Sequence, residues 1–149
     1  MNYIKETEKW LYNYKTMMAG IENLYRLYEE KEKEAQEGHP IRYDRDKLSP
    51  TYVFSSETEN IALDLVIIKS RIEKMKVKVK NIETALETLN DAERMIIEMK
   101  YFEGCRWQQI SYKAQYNERW CKEIRKRAIE KMAIGMFGET QHDYSTKFG

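Results

Sequence analysis

Apolar residues in the first part of the chain recur at helical spacing. Trp10, Tyr14, Met17, Ile21, Leu24 and Tyr28 are separated by alternating steps of four and three, a heptad seam. Residues 3–35 hold no proline and only one glycine, Gly20, so a single helix is expected there. Leu11, Met18 and Tyr25 widen the stripe, which predicts contact with more than one neighbour. Between Gln36 and Ser55 the pattern is interrupted by Gly38, His39, Pro40, Ser49 and Pro50. A connector of this length reads as a loop, with a short extended piece at Tyr52 to Phe54.

Ser56-Glu57-Thr58-Glu59 has the form of a capping box, so the next helix is expected to start at Ser56. Beyond it Ile61, Leu65, Ile68, Ile72, Met75, Val79, Ile82, Leu86 and Leu89 keep the 4-3 alternation without a miss. Such a seam needs a partner helix. Its flanks carry Lys69, Arg71, Lys76 and Lys78, which would face like charges in a parallel homodimer. The economical partner is the N-terminal helix folded back as an antiparallel hairpin. Residues 1–37 have eight acidic against six basic side chains, net −2, though the acids do not line up well with the lysines. A homodimer stays open.

Asn90-Asp91-Ala92-Glu93 is a second capping signal. Its helix runs through Met95, Ile96, Met99 and Phe102 and should stop at Gly104. A short amphipathic piece follows from Arg106 to Ala114, with Trp107, Ile110 and Ala114 on one side. Gln115 and Tyr116 break it, and Asn117 caps a final helix to about Ala133, with Gly135 and Gly138 beyond. The expected fold is all-α. A helical hairpin or coiled-coil region spans 1–89 with a loop at 36–55, a helix-turn-helix domain spans 90–135, and 136–149 is a polar tail, frayed from Glu139.

Composition agrees with helices. Of 149 residues 34% are charged, with 6 Gly and 2 Pro. A chain of that length can build a core without a disulfide or metal. No run of 18 apolar residues occurs, and Met1 to Lys15 lacks the apolar centre of a signal peptide, so a cytoplasmic protein with no membrane partner is expected. Cys105 and Cys121 lie 16 apart and are expected as reduced core thiols; with only His39 and His142 they make no zinc set. Phosphate loops, Walker-type lysines and HExxH motifs are missing, and acids such as Glu29 and Glu30 converge on nothing, which argues against an enzyme and against any cofactor.

Charge sorting changes the picture more. The net charge of +1 hides residues 69–80, with six basic and one acidic side chain, and 106–132, with eight and three; both are net +5. Between them, residues 81–105 carry two basic and six acidic, net −4. The second basic block is the one with helix-turn-helix form. Its last helix buries Cys121, Ile124 and Ala128 and projects Glu118, Arg119, Lys122, Glu123 and Lys126 from the other face. Ser111 must be small where the two helices cross. Arg119 and Lys122 suit guanine O6 and N7, and Glu118 and Glu123 suit cytosine N4. Arg106, Gln108, Arg125, Lys126, Arg127 and Lys131 are placed for phosphates. Trp107 is expected in the core. Trp120 is either a core-edge residue beside Ile124 or a contact to DNA or polymerase. Lys69 to Lys80 reads as a solvated helix face or as a phosphate or partner contact, and the tyrosines from Tyr3 to Tyr28 read as packing.

The run Leu89 to Met132 resembles the C-terminal promoter-reading domain, region four, of bacterial sigma factors. The telling positions are Glu93-Arg94, Tyr101-Phe102-Glu103-Gly104, Ile110, Ile124 and Arg127-Ala128-Ile129. In length and architecture the whole chain is similar to phage late-gene transcription activators of the RinA/ArpU type. The resemblance implies a sequence-specific regulator of phage or prophage genes that binds double-stranded DNA and contacts host RNA polymerase in the bacterial cytoplasm. Four departures stand out. Gln115 replaces the usual turn glycine, Arg106 the usual Ser or Thr cap, and Cys121 the usual Val or Ile, while Trp120 sits where a small or polar residue is common. A rival class is a DNA-packaging adaptor like a small terminase subunit, which also joins a helix-turn-helix to oligomerising helices. A third is a sigma-like fold that binds protein without touching DNA.

Overall fold

The computed structural model describes residues 1–37 and 50–141. The fold is all-α, as expected. Its helices are α1 (Tyr3–Tyr12), α2 (Tyr14–Gln36), α3 (Pro50–Leu86), α4 (Asp91–Ile97), α5 (Trp107–Ala114) and α6 (Glu118–Phe137); a π-helical turn at Glu98–Phe102 extends α4. Contacts group Met1–Met17 with the chain from Val77 onward in one compact unit, and Met18–Lys76 in a second. The first unit therefore takes in residues 1–17 and 77–89 as well as the C-terminal helices.

In the Met18–Lys76 unit, α2 and α3 run antiparallel. A side chain on Gly20 would meet Met75 Sδ at 3.3 Å, and Lys31 Nζ lies 3.6 Å from Asp64 Oδ2. Ile61, Ile68 and Ile72 are buried along this seam, while Met18 and Tyr25 stay exposed.

The unit holding the C-terminal helices has two apolar clusters. The larger joins Leu11 of α1, Ile82, Ala85 and Leu86 of α3, and Ala128, Ile129 and Met132 of α6. The smaller joins Ile96, Met99, Ile110, Cys121 and Ile124. α1 lies along the end of α6, where Phe137 stacks on Tyr3 at 4.9 Å and meets Trp10 edge-on at 5.0 Å. The Tyr3 N–H donates to the Thr140 carbonyl at 3.2 Å.

Several boundaries differ from expectation. The N-terminal helix is not continuous: Asn13, at φ −93° and ψ 0°, separates α1 from α2. α3 opens at Pro50 and runs straight through Ser56, so the helix does not start at Ser56 and Tyr52 to Phe54 is helical, not extended. Proline suits a first helical position, because φ is preset and the missing N–H would have had no partner. The loop predicted at 36–55 is thereby shortened; residues 38–49, with His39, lie outside the described residues. α6 passes Ala133 and Gly135 and ends at Gly138, whose φ is +82°. Gly135 does not stop the helix; it admits Ala85, whose Cβ would lie 3.3 Å from any added Cβ. Met136 and Phe137, assigned to the polar tail, are helical and half-buried. The frayed end predicted from Glu139 falls mostly on residues 142–149, outside those described.

Candidate nucleic-acid interface

The interface is built on α4 and its π turn. Asn90 Oδ1 accepts from the Glu93 N–H at 2.8 Å, and Glu93 Oε1 accepts from the Asn90 N–H at 3.1 Å, closing the predicted box. The Glu103 N–H reaches back five residues to the Glu98 carbonyl at 3.0 Å, and Gly104 turns the chain at φ +67°. The extra residue in that turn sets the direction in which α5 departs.

α5 starts without a side-chain cap. Arg106 has no acceptor to offer, and its own N–H donates to Gln109 Oε1 at 2.9 Å. The turn between α5 and α6 is tight. Gln115 sits in the left-handed region at φ +59° and ψ 32°, as its replacement of a glycine predicted. The Gln115 N–H donates to the Ser111 carbonyl at 2.9 Å, and the Ser111 hydroxyl donates to the Tyr116 carbonyl. Ser111 thus fixes the turn as well as leaving room for it. Asn117 then caps α6, accepting from the Trp120 N–H at 2.7 Å.

Cys121, Ile124 and Ala128 form the buried stripe of α6, with Ile110 of α5 fully buried beneath it. On the opposite side Glu118, Arg119, Lys122, Lys126 and Arg127 are exposed, as are Arg106 and Gln108 on α5. Arg119, Lys122 and Lys126 fall on successive turns of that one face. Glu123 is half-buried and lies 3.7 Å from the Arg127 guanidinium, which also covers the Trp120 ring at 5.1 Å. Trp120 itself is 39% exposed, at the edge of the fold.

Two of the expected phosphate ligands are turned to internal duties. Arg125 is half-buried and pairs with Glu8 of α1 at 3.4 Å, while its Nε is buried without a partner. The same Glu8 oxygen accepts from the Tyr101 hydroxyl at 3.1 Å. Burial pushes the Tyr101 phenol well above its ordinary range, against the opposing pull of Arg125. Lys131 pairs at 2.9 Å with the buried Glu93 carboxylate, tying α6 to the start of α4.

Trp107 is half-buried against the smaller cluster and gathers cations. Lys100 Nζ lies 5.0 Å from its ring centroid, Lys122 Nζ 5.7 Å and the Arg125 guanidinium carbon 5.7 Å. Lys100 had escaped sequence reasoning because it sits in an acidic stretch, on a turn whose geometry has no local signature. Glu8 had escaped it because 117 residues separate it from Arg125.

Cys121 is buried with its thiol pushed up, by burial first and then by Glu118; Cys105 is half-buried, and neither is in a disulfide. Among the described residues no group of three or more His, Cys, Asp or Glu could hold a metal ion, and no helix is long and apolar enough to cross a membrane.

No curated protein and no solved structure matches the chain. Residues 2–134 match the family model described as "Protein of unknown function (DUF722)", and by that extent of match the chain belongs to the DUF722 family.

Proposed function

We propose that the chain is a sequence-specific DNA-binding regulator of transcription, an activator of phage or prophage genes that lays α6 in the major groove and contacts host RNA polymerase. The observation that carries this reading is the α5–turn–α6 geometry. A tight left-handed turn sets α6 down with its apolar stripe buried and with Arg119, Lys122 and Lys126 exposed. Arg119 is the strongest base reader of the set, being exposed in the first turn of the helix. Glu118 shares that turn and can accept from cytosine. Lys122, drawn toward Trp107, serves the α5 side of the groove, where Arg106 and Lys100 supply phosphate contacts. Arg125 and Lys131 leave the contact set, because their charges are already held by Glu8 and Glu93.

Selection of bound fragments from the source genome, followed by footprinting, tests the reading. Recovery of one intergenic site is expected, with Arg119→Ala costing about 1–3 kcal/mol on that site and relaxing its base choice. Unchanged site preference in Arg119→Ala would remove α6 from the groove. Assembly of the chain into a large ring would favour a DNA-packaging adaptor instead.

A further inference from the structure

The face of α3 turned away from α2 carries large apolar side chains that no described residue covers. Leu63, Val66 and Ile67 are 59%, 66% and 48% exposed. Glu59, Ser70 and Lys74 are exposed and continue the same stripe at helical spacing, opposite the seam of Ile61, Leu65, Ile68, Ile72 and Met75. Adjacent large apolar side chains left to water in this way mark an interaction surface.

Charge along α3 says what fits there. Toward the N-terminal end of this face stands Glu59, while Asp64, at its flank, is held by Lys31 of α2. Toward its other end stand Arg71 and Lys74, with Glu73 at the flank, while Lys69 lies off the face and Lys76 lies over the Tyr25 ring of α2. The boundary between the two halves falls beside Val66 and Ile67. We propose that a second copy of this chain packs on this face with its α3 antiparallel to the first, the two-fold axis passing near Val66 and Ile67.

Antiparallel pairing about that axis sets Glu59 of each helix against Lys74 of the other, whereas parallel pairing sets Glu59 against Glu59 and Lys74 against Lys74. The arrangement is isologous, so it closes at two chains. It is independent of DNA binding, since none of these residues belongs to the α5–α6 surface.

Sedimentation of the full-length chain over a range of concentrations tests the proposal. A dimer is expected, one that weakens as salt rises from about 0.1 to 1 M. Val66→Glu should weaken self-association by roughly tenfold or more while leaving helical circular dichroism intact, because Val66 is exposed in the single chain. Orientation is read by cross-linking in a Cys105→Ser background with a short bis-maleimide. A mixture of Glu59→Cys and Lys74→Cys chains should couple, and neither chain alone should, because the two positions are about 22 Å apart along the helix. A monomer at every concentration, a dimer indifferent to Val66→Glu, or coupling of Glu59→Cys chains to one another would each overturn the proposal.

Discussion

Gln115 is the only non-glycine residue with a positive φ among those described. A Cβ in the left-handed region costs about 1 kcal/mol, and the neighbouring hydrogen bonds of Ser111 and Asn117 hold the turn closed against it. Gln115→Gly is therefore expected to raise stability by up to about 1 kcal/mol in urea titration, less the entropy that glycine returns to the unfolded chain. Tyr101 makes a second residue-scale prediction. Its phenol is raised above the ordinary value of 10.0, so above that pH the unfolded chain releases a proton that the folded chain keeps. Stability should fall as pH rises past about 10, and Tyr101→Phe should flatten part of that fall in urea midpoints taken at pH 9 and 11. The Tyr14 phenol, raised by burial and by its 2.9 Å hydrogen bond to Glu83, adds to the slope in the same sense.

Elements show how much could be read in advance. The α3 seam was legible because eight apolar positions from Ile61 to Leu86 keep one period, and the α5–α6 pair because cap, stripe and turn agree with one another. Asn13 was not legible as a break. It sits inside an unbroken heptad pattern, and residues on both sides of it, Leu11, Tyr14 and Met17, pack on one core cluster. Gly135 misled for the opposite reason: glycine marks helix ends, but here it marks a close approach to Ala85. Of the candidate interface, exposure on α6 was predictable from periodicity, while the diversion of Arg125 and Lys131 required knowing partners far off in sequence. A contrast between two lysines of α6 follows. Lys126→Ala should weaken binding to all sequences alike and make the salt dependence shallower by about one unit of slope. Lys131→Ala should leave that slope unchanged and cost about 1–2 kcal/mol of thermal stability, because it strips the cation from buried Glu93.

At the scale of the whole molecule, the candidate interface lies in the unit that holds α4, α5 and α6, and the exposed apolar face of α3 in the Met18–Lys76 unit. Under the proposed two-fold pairing each dimer carries two copies of α6. The Met18–Lys76 unit has a problem of its own making. A helix with oil on both sides has no inherent sense of which side belongs indoors. Turned by half a revolution, α3 could still offer Leu63 and Val66 to α2. Gly20 weighs on the choice, since its bare backbone leaves room for the Met75 thioether, which would lie 3.3 Å from an added Cβ. The wrong orientation would leave that notch hollow and turn Lys74 toward α2. One absent methyl group thus acts as a keyway, telling the hairpin which way round to zip.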